Sequence, residues 1–534
     1  MIARATRARF HPLHLALALT AAANGCSRPR EEPVTAAIRG ISADAIGRHG
    51  RALSGEELAG RYYASPEADS AASYILSQLR SADVQLVQRA ENLLGNHPGC
   101  FAHHFSITLH RVTPQSRLAA VTGRSERTAQ LGYEFMPLVF ARSGDVEGSV
   151  TWIPQSGLPG DLGPRVRDRI VIVPPDVWRA TGGTVLEARL HRLGRRLEEQ
   201  GAQAVLFAGE PDLLYNAAST YPSTLTPELR SAVHSARGTL TNFHADRASL
   251  NAQAEAWRHA PQTTLPAVVV RSTWASRLQE GDRVRLGIGL APEVSLGQSI
   301  LVGFRGHTLP HEIVVLTAHY DHTGINAEGD VLNGADDNAS GVAALLEVAR
   351  ALRHVAPALE RSLVLAFLSG ERSGLQGSEA LIADLPRLLG PEVRVVTCLS
   401  LRAVGRNAAR PLLLVGGREN PWLASVFDVY NIHEVLLGPP LELQREAGML
   451  AVQGGIADPG QARASAHLAF QRAGVPSLLL NDGLDAMLYG QPDDDWKYVD
   501  ADKVTRVARL TFRAAFDLAT ELRPAALPAS APGR

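Results

Sequence analysis

Residues 362–378 read SLVLAFLSGERSGLQGS, an apolar run that ends at two adjacent charged residues, Glu371 and Arg372. The apolar run predicts a strand that is buried on both faces of a sheet. The charged pair then lies at the carboxyl end of that strand, which is where open α/β sheets place their active sites. Arg372 cannot bind a metal ion there, because its guanidinium group stays protonated and carries only hydrogen-bond donors.

The same alternation of strand and helix continues on both sides of this stretch. Strands that alternate with helices along a chain form a mostly parallel sheet, which the helices cover on both faces. The sequence therefore predicts an α/β fold with a mostly parallel open sheet flanked by helices. The predicted strands are 300–306, 312–322, 362–370, 394–401, 411–417 and 476–482, and the predicted helices are 339–353 and 500–522.

The N-terminus carries the features of an export signal. Residues 1–10 are basic, residues 13–23 are apolar but too few to span a bilayer, and the run ANGC ends at Cys26. This order resembles a bacterial lipoprotein signal, in which the cysteine becomes lipidated, and a plain secretory signal is the alternative. Both export the protein. We expect a periplasmic or outer-membrane lipoprotein that touches the membrane only through its lipid anchor.

Charge and cysteine content add two further constraints. The 534 residues have a formal net charge of −1, so charge gives no reason to expect nucleic acid or another polyanion as a partner. The cysteines after the signal are Cys100 and Cys398. They could pair in an oxidising compartment or remain two free thiols, with Cys398 buried in a strand.

The residues that can carry chemistry fall in ordered strings. These are TAHYDHTG at 317–324, NGADDNASG at 333–341, SGERSGLQGS at 369–378 and YGQPDDDW at 489–496. Together they resemble the co-catalytic di-zinc aminopeptidases, a family that includes bacterial leucyl-type aminopeptidases and relatives of glutamate carboxypeptidase and the transferrin receptor. The resemblance covers most of the chain after residue 40.

The resemblance also suggests how the chain is divided. The order of elements in residues 132–290 resembles a protease-associated domain, a small module inserted in many secreted peptidases. The expected division is a signal peptide at 1–26, a tether at 27–40, the N-terminal part of a peptidase-like domain at 41–131, the inserted β-rich domain at 132–290, the main part of the peptidase-like domain at 291–524, and a disordered tail at 525–534.

Several residues of a di-zinc site are retained according to this resemblance. His319 matches the first zinc-binding histidine, and Asp321 matches the carboxylate that orients it. Asp337 matches the carboxylate that bridges the two zinc ions, and the resemblance implies a cis peptide bond from it to Asn338. Glu371 matches the general base that takes a proton from the metal-bound water.

Three of the five expected metal ligands are replaced. Arg372 stands where a glutamate ligand should follow the base, and Arg402, in the run LRAVGR, stands at an aspartate ligand. Gly490, in YGQPDDDW, stands at a histidine ligand. His467 matches a histidine that lies near the substrate and does not bind metal.

The two remaining ligands are too few for zinc, which needs about three protein ligands and one open position in a catalytic site. Three carboxylates and two zinc ions would together carry one positive charge, as would one aspartate with two arginines. We therefore expect Arg372 and Arg402 to replace the metals as fixed cations. In this hypothesis they make paired hydrogen bonds to Asp321, Asp337 and Glu371.

Three functions follow from this pattern. The first is a non-catalytic, exported relative that binds peptides or proteins through its old cleft or its inserted domain and needs no cofactor. The second is an active zinc aminopeptidase that recruits other ligands, for example His467 or Asp482. The third, a metal-free hydrolase, lacks a recognisable set of nucleophile, base and acid. The sequence does not indicate an oligomeric state.

Overall fold

The structure is a computed structural model of the chain. The described residues are 31–138, 140–154, 162–180, 186–209, 263–325, 329–372, 375–406, 411–433, 437–446, 465–483 and 492–520. The expected signal peptide with Cys26, the expected tail, and Gly490 lie outside these segments. Within the segments, no helix is both long enough and apolar enough to cross a membrane.

The described chain contains both strands and helices. The strands are β1 (Gln85–Leu86), β2 (Gly99–Val112), β3 (Arg117–Thr122), β4 (Ser125–Ala129), β5 (Phe135–Pro137), β6 (Gly144–Trp152), β7 (Ile170–Val173), β8 (Ala204–Gly209), β9 (Ala267–Arg271), β10 (Arg283–Ile288), β11 (Leu290–Phe304), β12 (Leu309–His319), β13 (Arg361–Leu368), β14 (Arg394–Leu401), β15 (Leu412–Val415), β16 (Leu443–Glu446) and β17 (Ser477–Asn481). The helices are α1 (Glu31–Gly40), α2 (Ala43–Leu53), α3 (Pro66–Ser81), α4 (Gly163–Val166), α5 (Pro175–Ala180), α6 (Leu186–Glu199), α7 (Ser272–Ala275), α8 (Gly341–Leu352), α9 (Gln376–Leu389), α10 (Pro421–His433), α11 (Ala466–Arg472) and α12 (Ala501–Thr520).

The larger sheet has nine described strands in the order β1-β2-β11-β13-β12-β14-β17-β15-β16. Its centre is parallel, because β12 pairs in parallel with β13 and β14, and β14 pairs in parallel with β17. Antiparallel pairs occur towards both edges, where β11 pairs with β2 and β13, and β15 pairs with β17. The predicted open, mostly parallel sheet flanked by helices is confirmed.

The stretch 362–368 forms most of β13, and every residue of this strand is buried. Successive strand residues point to opposite faces, so Leu363, Leu365 and Phe367 pack with the core that includes α8 and α12. Val364 and Leu368 pack on the other face with the core that includes α9. Burial of each such side chain stabilises the fold by roughly 1.5–3 kcal/mol. Because helices cover both faces, ligand chemistry is left to the loops at the strand ends.

A second sheet has eight described strands in the order β4-β3-β10-β6-β7-β8-β9-β5. Parallel pairs join β6 to β7, β7 to β8 and β8 to β9, and antiparallel pairs lie on both sides of them. This sheet has a hydrophobic core of its own, which contains Phe135, Phe207 and Trp274. Its identity as a protease-associated domain remains a prediction.

The domain boundary expected at residue 132 is wrong. Strands β3 and β4 precede that residue, but they belong to the second sheet, since β10 pairs with β3, Val284 opposite Ala120, and β3 pairs with β4. Strand β10, whose pairing places β3 in the second sheet, lies far along the chain, so the local sequence pattern of β3 does not reveal this pairing. The long antiparallel pair of β2 and β11, with Leu290 opposite Val112, leads from the larger sheet to this domain.

The expected tether at 27–40 is wrong for its second half, because residues 31–40 form α1. Val34, Ala37 and Ile38 are buried in the main core. Their spacing of three and four residues places them on one side of the helix. The polar composition of the preceding residues hid this short apolar stripe.

The two described cysteines do not form a disulfide. Cys100 lies in β2 and Cys398 lies in β14, and both are buried free thiols. The predicted burial of Cys398 in a strand is confirmed. The alternative, a disulfide between the two residues, is wrong.

Candidate metal-site remnant at the strand ends

The predicted site residues meet at the carboxyl ends of three neighbouring parallel strands. His319 is the last residue of β12, Glu371 and Arg372 follow β13, and Arg402 follows β14. Asp337 lies in the turn that precedes α8. At most 5 % of the surface of any of these residues is exposed. The strand order therefore brings together residues that are up to 83 positions apart in the chain.

Both carboxylate oxygens of Asp337 accept hydrogen bonds from guanidinium groups. Arg372 donates from Nη2 to Oδ2 at 2.6 Å. Arg402 donates from Nε to Oδ1 at 2.9 Å and from Nη2 to Oδ2 at 3.1 Å, which is the two-point geometry of an arginine fork on a carboxylate. Nε2 of His319 lies 3.3 Å from Oδ1 of the same aspartate. Asp337 is thus surrounded by cationic groups where the family resemblance expects two metal ions.

The electrostatics of this cluster follow from burial and these contacts. Burial raises the pKa of Asp337, but Arg372, Arg402 and His319 outweigh it and hold this pKa well below its usual range. Burial lowers the pKa of His319, but Asp321 and Asp337 outweigh it and raise this pKa above its usual value. Asp337 is therefore ionised, and the cluster favours the protonated, cationic form of His319.

Asp321 lies behind His319, as the resemblance implies. Nδ1 of His319 donates to the backbone carbonyl of Asp321 at 3.0 Å and lies 3.6 Å from its Oδ1. Oδ2 of Asp321 accepts the backbone N–H of Arg372 at 3.1 Å. The expected guanidinium contact to Asp321 is wrong, because the side chain of Arg372 extends to Asp337 while its backbone faces Asp321.

The expected guanidinium contact to Glu371 is also wrong. Oε1 of Glu371 accepts from the backbone N–H of Ser378 at 2.9 Å and from its hydroxyl at 2.6 Å. Ser378 lies in the first turn of α9, so a helix start holds this carboxylate in place of a cation. Oε2 is buried and has no hydrogen-bond partner in the described structure. Burial raises the pKa of Glu371 to about 7, assisted by Asp321 and opposed by Ser378 and His319.

Asn338 ties the strand ends together, a role that the sequence strings did not reveal. The peptide bond between Asp337 and Asn338 is cis, as the resemblance implies. The side-chain amide of Asn338 donates to the carbonyls of His319 at 3.2 Å and Leu401 at 2.9 Å. Its Oδ1 accepts the backbone N–H of Ala403 at 3.2 Å. One side chain thereby connects the ends of β12 and β14 to the turn that carries Asp337.

Arg61 is a second site-building residue that sequence reasoning missed. Its guanidinium is buried and donates to the carbonyls of Tyr320 at 2.7 Å, Asn333 at 2.8 Å and Gly334 at 3.0 Å, and also to that of Leu53. It therefore joins the loop after β12 to the loop that leads to Asp337. Burial lowers the pKa of Arg61 to about 10, so it remains a cation at neutral pH. Its partners Tyr320, Asn333 and Gly334 lie 259, 272 and 273 residues away along the chain, so only the folded chain shows its role.

Asp494 supports the turn of Asp337 from outside. Its carboxylate accepts the backbone N–H groups of Asp336 at 2.9 Å and Asp337 at 3.2 Å, and it binds the side chain of Arg406. Asp494 belongs to the string YGQPDDDW, which carried part of the family resemblance. That string therefore holds the shape of the turn.

Asp482, a candidate for an alternative metal ligand, is already paired. Its Oδ2 accepts the backbone N–H of Arg406 at 2.6 Å and lies 3.4 Å from Nζ of Lys503. Lys503, one of only two lysines in the chain, is fully buried. The contacts of Asp482 are those of a structural ion pair.

The two remaining histidines of the region are held neutral. Burial lowers the pKa of His467 to about 3, with a further contribution from Arg402, and neither ring nitrogen has a hydrogen-bond partner in the described residues. Burial, with Arg372, lowers the pKa of His322 well below its usual value. Nη2 of Arg372 lies 3.1 Å from Nδ1 of His322, which acts as a neutral acceptor.

The residues present do not fit a zinc ion. A catalytic zinc needs about three protein ligands, and the described residues contain no group of three His, Cys, Asp or Glu side chains that could hold a metal. The carboxylate of Asp337 already carries three guanidinium hydrogen bonds. A divalent ion would have to displace these bonds and then lie beside two guanidinium groups of the same sign.

Comparisons with known proteins agree with the fold. Residues 300–515 match the model of peptidase family M28. A probable zinc metalloprotease of Pyrenophora tritici-repentis is 28% identical over 230 residues, which cover 38% of this chain and 43% of that protein. A probable zinc metalloprotease of Pyrenophora teres f. teres is 36% identical over 93 residues, which cover 16% of this chain and 18% of that protein. The chain thus spans less than half the length of these curated relatives.

Two solved structures extend the likeness to nearly the whole chain. An aminopeptidase from Aneurinibacillus sp. strain AM-1 has a TM-score of 0.55 and 17% identity, and the match covers 90% of this chain and 95% of that one. The zinc aminopeptidase BSAP from Bacillus subtilis has a TM-score of 0.56 and 17% identity, with 90% and 96% covered. At this identity the likeness concerns the fold. Residues 300–515 therefore resemble peptidase family M28, and the chain has the fold of the zinc aminopeptidases.

Proposed function

We propose that this protein is a non-catalytic member of its peptidase family that binds peptides or proteins at the carboxyl ends of the strands of its larger sheet. One observation carries the proposal: Arg372 and Arg402 together bind both oxygens of Asp337, the carboxylate that bridges two zinc ions according to the resemblance. The relatives named zinc metalloproteases support the ancestry. The replaced ligands argue that the ancestral activity is lost.

The loss of activity follows from what zinc supplies in hydrolysis. A bound zinc ion acidifies its water and polarises the substrate carbonyl, and a general base then takes the proton of that water. Glu371 retains the position of the base, but the residues around it do not fit the ion. A carboxyl group whose pKa is about 7 lacks the driving force to deprotonate free water.

The arginines account for the retained acids. An ionised aspartate with no countercharge is expensive to bury, whereas a carboxylate that binds two guanidinium groups is compensated and hydrogen-bonded. We infer that Arg372 and Arg402 have taken the structural place of the two metals around Asp337. This preserves the arrangement of the strand-end loops, which a binding protein needs and a collapsed site would lose.

Two assays test the proposal. Purified protein incubated with aminoacyl-nitroanilides, with and without added zinc, is expected to show no turnover above the buffer rate. Zinc-stimulated turnover that disappears in Glu371→Gln would contradict it, because a contaminating peptidase would be unaffected by that change. Retained binding is tested by calorimetric titration with short peptides, one at a time, and the proposal expects at least one of them to bind saturably at one site per chain.

We also propose that the protein is an exported lipoprotein and that the second sheet is a protease-associated domain. The sequence of residues 1–26 supports export, and the position of the second sheet between β2 and β11 supports an inserted module. Labelling of the expressed full chain with radioactive palmitate tests the anchor. Wild type should incorporate label and Cys26→Ser should not, whereas equal labelling of both would exclude lipidation at this cysteine.

A further inference from the structure

A pocket of about 390 Å³ lies among α2, α3 and α8, and none of its residues belongs to the strand-end site. Its size falls within the range of small-ligand sites. Seven lining residues have polar side chains, namely Ser42, Arg48, His49, Gln78, Ser81, Glu347 and Arg350.

The inner wall of the pocket is a fixed chain of polar side chains. The hydroxyl of Tyr74 and Nδ1 of His49 are 2.9 Å apart, and Nε2 of His49 lies 3.7 Å from Oε1 of Glu347. Arg350 donates to both oxygens of Glu347, from Nε at 2.9 Å and from Nη2 at 2.8 Å. Only 2 % of the Glu347 side chain is exposed. These contacts orient the wall before any ligand arrives.

Glu347 is an unusual residue for its position. It lies in α8, which is otherwise apolar except for Arg350 and is buried along almost its whole length. Burial raises the pKa of Glu347, but His49 and Arg350 outweigh it and lower this pKa to about 2. The helix therefore carries a buried acid at the pocket, paired with the half-buried Arg350, although an apolar residue would pack there at no electrostatic cost.

The charge of the pocket is positive. Arg48 and Arg350 are cations, and Glu347 is the one acid among the lining residues. Arg350 already occupies both oxygens of that acid, and Arg48 is exposed and has no hydrogen-bond or ion-pair partner among the described residues. The hydroxyl oxygen of Ser42 accepts the backbone N–H of Ala45 at 3.3 Å, so its proton is available to a ligand.

We propose that this pocket binds a small oxyanion, a phosphate or carboxylate group, with Arg48 as its principal cation. A guanidinium fork matches the geometry of such groups. The Ser42 hydroxyl can donate to a further oxygen, and the negative charge of Glu347 is balanced by Arg350, which donates to both of its oxygens. The proposal does not depend on the proposed function, because the two sites share no residue.

The test is calorimetric titration of the full-length protein with inorganic phosphate and, separately, with succinate, at constant ionic strength. Wild type is expected to bind at least one of them saturably with one site per chain. Arg48→Ala should weaken this binding about tenfold or more, the loss of one charge-assisted contact. The matched control is Arg51→Ala, because Arg51 is an exposed arginine of the same helix that does not line the pocket.

Phosphatidylglycerol vesicles distinguish a lipid headgroup from a free ion as the source of the oxyanion. If wild type and Arg51→Ala bind the vesicles and Arg48→Ala does not, the site is assigned to a lipid headgroup. Binding that is confined to free anions would assign it to a soluble ligand. The proposal is overturned if wild type binds none of the three probes saturably, or if Arg48→Ala binds as tightly as wild type.

Discussion

Arg402 and Asp337 form a two-point ion pair in the interior of the protein, with Nε donating to Oδ1 at 2.9 Å and Nη2 donating to Oδ2 at 3.1 Å. Only 1 % of the arginine side chain and 2 % of the aspartate side chain are exposed. Neither charge could remain in this position alone, because an unpaired buried ion costs several kcal/mol. The pair joins the end of β14 to the turn before α8.

Removing either arginine should therefore destabilise the domain markedly. Arg402→Ala and Arg372→Ala each leave part of the Asp337 charge uncompensated, with an expected loss of about 3–5 kcal/mol. Urea unfolding followed by circular dichroism measures this loss. Arg387→Ala is the control, because that side chain is 68% exposed in its pair with Asp384 and should cost at most about 1 kcal/mol. Equal unfolding midpoints for Arg402→Ala and Arg387→Ala would refute the account of the pair.

Arg61 should act on the loops rather than on the whole chain. Arg61→Ala removes hydrogen bonds to the carbonyls of Tyr320, Asn333 and Gly334, each worth about 1.5–3 kcal/mol when the donor is charged. Hydrogen exchange should accelerate in residues 320–324 and 333–337. The second sheet serves as an internal reference and should not change, and Arg61→Lys should give an intermediate effect. Unchanged protection of both loops in Arg61→Ala would exclude this role.

Glu371 should make the protein less stable as pH rises through neutrality. Its pKa is about 7 in the folded chain, above the ordinary value of 4.5, so the folded state binds more protons between these values. The stability that this group contributes is complete below pH 4.5 and is lost as pH rises through about 7. The loss amounts to roughly 3 kcal/mol at most.

Glu371→Gln is the variant that isolates the contribution of this carboxyl group to the pH dependence of stability. The amide cannot titrate, so the difference in unfolding free energy between pH 5 and pH 8 should shrink relative to wild type. Denaturant unfolding at both values measures it. An identical pH dependence in both proteins would show that Glu371 does not titrate in this range.

The sequence was sufficient for the fold of the larger sheet but not for its boundaries. The continuous apolar run at 362–370 predicts a buried strand, and the amphipathic pattern at 500–522 predicts a long helix. The structure has β13 and α12 at these positions. The membership of β3 depends on its pairing with β10, a long-range contact with no local signal. The helix at 31–40 is hard to predict because its apolar side, formed by Val34, Ala37 and Ile38, is short and follows a polar stretch.

In the site, as in the sheet, residues within a recognisable motif were predictable from sequence, and contacts between distant parts of the chain were not. Arg372 was identifiable because an arginine breaks a string whose neighbouring residues fix its position, and its contact with Asp337 is as expected. The predicted hydrogen-bond partners of Glu371 and Asp321 are wrong. A sequence motif indicates which residues lie close together in the fold, but it does not indicate which of their atoms form hydrogen bonds. Ser378, in the same string SGERSGLQGS, is the sequence signal for the hydrogen-bond donor to Glu371. Arg61 had no such signal.

The zinc content of the purified protein tests the central claim most directly. Wild type dialysed against zinc, then against buffer, should contain far less than one equivalent by elemental analysis. The triple variant Arg372→Glu, Arg402→Asp, Gly490→His restores the replaced ligands and should gain zinc, which shows that the scaffold can still hold it. One or more tightly held zinc ions per wild-type chain would contradict the claim that guanidinium groups have replaced the metals.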